Sequence, residues 1–254
     1  MDSADREQKK AADRIHGVNG AFMDAQENLK RISDGRLYGI HDMAKVGCHD
    51  CAGCSRCCRG MGASIVLDPY DAYQLTKHLG QTFEQLLSSC VEFHVSDGLI
   101  VPNLVMRADT DACTFLDENG RCRIHAFRPG LCRIFPLGRN YEGGTLTYFV
   151  LSEECPMPNK TKVKIDKWID TPNLKEKQRF LITWHDFIKR TRRMINEGSD
   201  QAARAMNIAI LQTFYLKPYG GENESVAPDG FYREFYERLA RPEFADIIKC
   251  RHCR

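Results

Sequence analysis

The stretch "CHDCAGCSRCC", residues 48–58, places Cys48, Cys51, Cys54, Cys57 and Cys58 within eleven residues. Free cysteine usually packs as a small hydrophobe. Here the flanking residues are Gly, Ser, Arg and Asp, and nothing around the cluster resembles a core. The chain has twelve cysteines in 254 residues; ten lie between Cys48 and Cys155, and Cys250 and Cys253 form a pair near the end. Such density in a reducing compartment points to metal binding or redox chemistry rather than to disulfides. Cys90, closing the helical pattern "TFEQLLSSC", is the exception and reads as a packed thiol.

The rest of the composition is that of an ordinary globular protein: 43% hydrophobic, 28% charged, mean hydropathy −0.44. A net charge of +2 gives no electrostatic case for nucleic acid or an anionic membrane as partner. No run approaches the roughly 18 apolar residues of a membrane span, and "AMNIAILQTFYL" (205–216) is the nearest. The N-terminal "MDSADREQKKAADRIHG" is charged and has no apolar core, which argues against a signal peptide. The expected compartment is the cytoplasm.

Three segments follow from the pattern of residues. Residues 1–45 read as a polar helical arm, helical over 3–33, with a thin apolar stripe at Ile15, Val18, Phe22, Leu29 and Ile32. Residues 46–158 form the cysteine-rich segment. Within it "LDPYDAYQLTKHLG" is a complete helix signal: Asp68 as N-cap, Pro69 at the first position, Gly80 as terminator. Thr82 starts a second helix running to about Cys90. "VEFHV" and "LIVPNLVMR" flank Ser96-Asp97-Gly98 as a hairpin, and "CTFLDENGRCRIH" repeats that pattern around Glu118-Asn119-Gly120. "TLTYFVLS" (145–152) is a further strand, and Gly143-Gly144 an ordinary hairpin turn. Residues 159–254 are helical, over about 172–196, 199–215 and 229–249, the last one helix or a broken pair. The expected fold is α+β: a small cysteine-rich, metal-binding core with short antiparallel strands, wrapped by N- and C-terminal helices, the C-terminal region packed on that core.

A metal site needs about four ligands able to reach one point, and thiolate suits both zinc and iron–sulfur clusters. Two quartets are available. Cys51, Cys54, Cys57 and Cys58 form C-x2-C-x2-C-C, and Cys113, Cys122, Cys132 and Cys155 stand downstream. Neighbouring residues of an extended chain point to opposite sides, so Cys57 and Cys58 could serve different centres. A second register, Cys48, Cys51, Cys54 and Cys58, matches the bacterial ferredoxin run, although Arg59 stands where that run has proline. His49 and His125 are not at a zinc-finger spacing. Between residues 48 and 139 there are eight arginines and one lysine, Lys77. Arg56, Arg59, Arg121, Arg123, Arg128, Arg133 and Arg139 could offset the negative charge of a cluster and hydrogen-bond its sulfur, grip a carboxylate or phosphate, or form surface salt bridges. In "HAFRPGLCRIFP", Pro129 and Pro136 stiffen the chain around Cys132.

C-x-x-C-x-x-C-C, then C-x-F-L, then "GRCRIHAFRPGLCRIFPLG" resembles the cysteine-cluster family described as a zinc- or iron-chelating domain, and "SIVLDPYDAYQLTKHLG" resembles the helix that follows the cluster there. The resemblance covers roughly residues 48–158. It implies Cys51, Cys54, Cys57, Cys58, Cys113, Cys122, Cys132 and Cys155 as ligands, with Arg128, Pro129, Arg133 and Pro136 as framework. The family includes flagellin lysine N-methylases. Cys48 and the terminal "CRHC" lie outside its pattern.

Three functions are compatible with these residues. The first is a protein holding one or two iron–sulfur clusters, of the [4Fe–4S] type. It would carry electrons, or support a modification, for a protein redox partner or protein substrate. The second is a zinc module that holds together a core poor in sheet. The third is a cluster-dependent lysine N-methyltransferase, with a pocket near Arg128 and Arg133 as cofactor-binding residues. There is no G-x-S-x-G, P-loop or dinucleotide fingerprint, and the radical-enzyme spacing C-x3-C-x2-C is missing. Tyr70, Tyr73, Trp168, Trp184 and His185 read as packing residues.

Overall fold

The computed structural model describes residues 25–48, 54–152, 154–220 and 228–249. The structure is α+β, with short paired strands and many helices. It divides into two compact units. One joins the described residues up to Val66 with Asn103–Asp170, and the other joins Leu67–Pro102 with the chain from Thr171 onward. The expected segments 1–45, 46–158 and 159–254 follow chain order. The packing instead assigns the stretch from Leu67 to Pro102 to the same unit as the C-terminal helices.

The first unit contains α1 (Ala25–Ile32), β1 (Met43–Gly47), a 3-10 turn at Arg56–Cys58, and a second at His125–Phe127. Then come α4 (Gly130–Ile134), β4 (Leu137–Glu142), β5 (Thr145–Val150), β6 (Thr161–Lys164) and α5 (Ile165–Ile169). The helical reading of 3–33 is met at its end by α1, while Ile15, Val18 and Phe22 lie outside the described residues. Strands β4 and β5 pair in register from Leu137↔Val150 to Glu142↔Thr145 across the Gly143-Gly144 turn. Both turn glycines have positive φ, 58° and 73°, the conformation a two-residue hairpin requires.

Gly138 sits opposite Phe149 in that ladder. A Cβ there would lie 2.2 Å from the Phe149 ring, so the ring occupies the space a side chain would need. Residues 32–38 run along β5: Tyr38 and Tyr148 exchange backbone hydrogen bonds of 2.8 and 2.9 Å, and the Ser152 N–H donates to the Ile32 carbonyl at 3.0 Å. Strands β1 and β6 pair from Met43↔Lys164 to Gly47↔Thr161, with an irregularity between Lys45 and Gly47. Ala44, Val46, Ile165 and Tyr148 are almost completely buried and anchor this unit.

The second unit holds α2 (Pro69–Leu79), α3 (Phe83–Leu87), β2 (Val91–Ser96) and β3, which runs Leu99–Leu104 and crosses into the first unit at its end. It also holds α6 (Leu174–Glu197), α7 (Asp200–Leu211), a wide π turn (Gln212–Leu216), α8 (Pro228–Leu239) and α9 (Ala245–Lys249). Helix α2 begins and ends as its sequence dictates. The Asp68 carboxylate accepts from the Asp71 N–H and the Asp71 carboxylate from the Asp68 N–H, a capping box, and Gly80 closes the helix at φ 64°. Helix α3 has the same box on Thr82 and Gln85 but ends at Leu87, short of Cys90. The expected third helix is a broken pair, α8 and α9, with a 3-10 turn at Pro242–Phe244 between them.

The core of this unit is aromatic. Phe180, Phe214, Phe231, Phe235 and Phe244 are fully buried, in edge-on, tilted and stacked contacts, the tightest between them edge-on, Phe180 to Phe235 with centroids 4.7 Å apart. Tyr70, Tyr73 and Trp184 join this packing. Lys177 is buried with its Nζ 3.4 Å from Asp68 and 3.9 Å from the centre of the Tyr70 ring. Asn207 fixes the β2–β3 hairpin: its Oδ1 accepts from the Ile100 N–H at 2.7 Å and its Nδ2 donates to the Gly98 carbonyl at 3.0 Å.

Candidate metal centre

The cysteines of the first unit reach one another through short backbone ties. The Cys113 N–H donates to the Cys58 carbonyl at 2.8 Å, and the Gly60 N–H donates to the Asp111 carbonyl at 2.8 Å. These bonds lay the end of the cysteine loop against 111–113. The stretch "CTFLDENGRCRIH", read as a strand pair, is instead a clip built on isolated bridges, Met106↔Cys113 and Leu116↔Cys122. Its side chains explain the difference. Asp117 Oδ1 accepts from the N–H groups of Asn119 and Arg121, at 3.0 and 2.7 Å, a turn closed by an aspartate. Arg123 donates to the Thr114 carbonyl at 2.9 Å, and Arg107 donates to the carbonyls of Thr114 and Leu116. Guanidinium groups brace this loop where strands would use ladder bonds.

Cys132 is carried by α4. The Trp168 indole N–H donates to the Ile134 carbonyl at 3.0 Å, and Arg133 donates to the carbonyls of Ala126 at 2.6 Å and Asp170 at 3.3 Å.

The result is one cavity of about 50 Å³ whose wall includes Cys54, Cys57, Cys58, Cys113, Cys122 and Cys132. By the same measure a water needs about 10–15 Å³, so there is room for a centre of several atoms. Arg121, His125 and Arg128 complete its polar lining. Among the described residues no group of three or more His, Cys, Asp or Glu side chains converges tightly enough to hold an ion as it stands. The thiols surround a space, and the sulfurs of Cys57 and Cys58 are 3.9 Å apart. A ring of six soft donors with two guanidinium groups in the wall fits the chemistry of a thiolate-bound, negatively charged metal centre.

The electrostatics agree with that proximity. The Cys57 thiol is lowered to about 7, chiefly by the hydrogen bond from Cys58 and further by the Arg128 charge, against the opposing effect of burial. The Cys58 thiol moves upward because it donates that bond, because it is buried, and because Cys57, Cys122 and Cys132 lie within electrostatic reach. Burial pushes Cys122 up, and the Ile124 N–H and Arg128 pull it back.

Of the eight ligands expected from the sequence, six therefore share one cavity. Cys155 is buried but does not line it, and Cys51 lies outside the described residues. Cys48, at the end of β1, and Cys90 are buried elsewhere; Cys250 and Cys253 are outside the described residues. Arg128 lines the cavity and touches His125, whereas Arg133 is occupied by the two backbone carbonyls named above. Arg59 donates to Ser55 at 3.1 Å.

A second cavity, of about 270 Å³, shares Cys57, Ile65 and Cys132 with the first and extends to β4 and β5. Its charged wall residues are Arg139 and Glu154. The sequence pattern drew attention to Arg139 but not to Glu154, and gave no sign of the cavity, because its apolar lining is scattered over four segments.

No curated protein and no solved structure matches the chain significantly. The stretch that supplies the six thiols of the cavity is similar to a known domain: residues 50–156 match the model of the CxxCxxCC family, described as "Putative zinc- or iron-chelating domain".

Proposed function

We propose that the first unit holds an iron–sulfur cluster of the [4Fe–4S] type and serves as a redox module for a partner protein. The observation that carries this reading is the single cavity walled by six thiols, Arg121 and Arg128. A structural zinc takes four ligands converging on one atom; a cubane presents several metal atoms to donors spread around a cavity, as these are. Arginines in such a wall lower the cost of the cluster's negative charge and tune its potential through hydrogen bonds to sulfur. When bound, the cluster supplies one-electron transfer. Cys54, Cys57, Cys58, Cys113, Cys122 and Cys132 are the donors available to it, with Cys51 next to Cys54 in the C-x-x-C run.

Purification under oxygen exclusion, followed by iron, sulfide and zinc analysis and electron paramagnetic resonance, tests this. The expected material is brown, contains iron and sulfide in equal amounts, and bleaches on reduction. Colourless protein with near-integer zinc would replace the redox reading with a zinc module that holds the bridged, strand-poor loops in place.

A further inference from the structure

The second cavity has the make-up of a ligand site. Its walls are largely apolar, with Ile65, Leu131, Phe135, Phe149 and Leu151 among them, and its two charged residues have opposite sign, Arg139 and Glu154. Both are half-buried. Ser64, also in the wall, already donates its hydroxyl to the Met61 carbonyl. The ring of Phe149 forms part of this wall and is accommodated over β4 by the absence of a side chain at Gly138.

Size narrows the occupant. A dry cavity of about 150 Å³ takes one benzene ring; 270 Å³ leaves room beyond a ring for a few more heavy atoms. Charge narrows it again. A charged group enters an apolar site only with a partner of opposite sign. A guanidinium offers a carboxylate two parallel hydrogen bonds, and a carboxylate offers the same compensation to an ammonium group. An acid alone would meet Glu154 and an amine alone would meet Arg139.

We propose that this cavity binds a small zwitterion with an apolar body, the chemical class of a free apolar amino acid. Its carboxylate lies on Arg139, its ammonium group on Glu154, and its side chain among Phe135, Phe149 and Leu131. Because Cys57 and Cys132 form walls of both cavities, the ligand lies against two of the thiols assigned to the centre. Binding stands on the cavity's own walls, whereas the ligand's contact with a redox centre rests on the function proposed above.

Calorimetric titration of the anaerobically purified full-length chain with three probes tests this: L-phenylalanine, 3-phenylpropanoate and 2-phenylethylamine. L-phenylalanine is expected to bind at least about tenfold more tightly than either analogue, as one charge-assisted contact is lost in each. Arg139→Gln should abolish the preference over the amine, Arg139→Lys should restore part of it, and Glu154→Gln should abolish the preference over the acid. Met61→Trp, which fills the cavity, should weaken all three. Equal affinity for zwitterion and acid, no binding of L-phenylalanine at millimolar concentration, or preferences unmoved in the Arg139 and Glu154 variants would overturn the site. Binding with these preferences in protein that carries no iron would leave the site standing and remove the redox reading. Iron-loaded protein that ignores L-phenylalanine would do the reverse.

Discussion

Cys132 and Cys90 are the same side chain in different surroundings. Cys132 lines both cavities of the first unit. Cys90 is 5% exposed in the second unit, touches neither cavity, and has its thiol pushed up by burial. Cys132→Ser should lower bound metal per folded chain and lower the unfolding midpoint with it, since metal-binding energy in such a domain is folding energy. Cys90→Ser should leave the metal content unchanged. Elemental analysis of the two purified variants decides, and equal metal in both would remove Cys132 from the ligand set. A second residue gives a pH signature. Burial and the hydrogen bond to Asp34, 2.5 Å from its hydroxyl, push the Tyr38 phenol from 10.0 to about 12. The folded state thus favours the protonated phenol. Its contribution is complete below the unfolded value of 10.0 and falls away as pH rises toward 12. The stability difference between wild type and Tyr38→Phe should shrink across that window and stay constant below it. Chemical denaturation at a series of pH values measures this, and a difference that does not change across the window contradicts it.

Helix α2 shows how far local chemistry alone determines an element. Asp68, Pro69 and Gly80 supply cap, first turn and terminator, and the helix occupies the span they delimit. Its capping aspartate has a second partner that no local pattern reveals. Asp68 Oδ1 accepts from the Asp71 N–H at 2.8 Å, while Oδ2 lies 3.4 Å from the Lys177 ammonium, both side chains less than 10% exposed. Lys177→Met should cost about 3–5 kcal/mol, because it leaves a buried carboxylate uncompensated. Asp68→Asn on that background should recover part of the loss, since the amide oxygen still caps the helix. Urea unfolding of the single and double variants checks this, and no recovery would show that the charge at Asp68 is not the source of the loss. Strands were legible where a turn announced them, on both sides of Asp97-Gly98 and after Gly143-Gly144, residues that adopt positive φ. Strands β1 and β6 were not, since Met43–Gly47 and Thr161–Lys164 are short, half polar and far apart in the chain, and neither reads as a strand without the other. Strand β4 was hidden by Gly138 and Arg139, residues that read as loop until Phe149 is seen lying over the glycine. Gly138→Ala should cost about 1–3 kcal/mol by displacing that ring. The same substitution should disturb ligand binding in the second cavity more than metal content. The Cys54–Cys58 side of the thiol cavity was readable because C-x-x-C spacing is itself a geometric statement, and Cys113, Cys122 and Cys132 joined it through the family resemblance; Glu154 was not, because nothing in its local sequence marks it as lining the cavity that Arg139 also lines.

At the scale of the molecule, the two units rely on different sources of stability. The second has a packed aromatic core and the long helices α6, α7 and α8. In the first, the sulfur-lined region is held by isolated bridges, turns and arginine-to-carbonyl bonds. If metal joins those segments, its removal should open the first unit before the second. The chain's two tryptophans separate the responses. Trp168 donates to the Ile134 carbonyl on the helix that bears Cys132. Trp184 is packed against Phe187, Phe214 and Phe235. In Trp184→Phe protein, where Trp168 is the sole reporter, a chelator strong enough to remove the metal should shift emission to the red. In Trp168→Phe protein, emission from Trp184 should hold its position until denaturant is added. Far-ultraviolet dichroism should retain most of its helical signal after chelation, because the long helices belong to the second unit. If both tryptophans move together, the units form one cooperative structure. If neither moves while the metal is demonstrably lost, the thiols bind it without supporting the fold, and the bridges, turns and arginine bonds hold the loops by themselves.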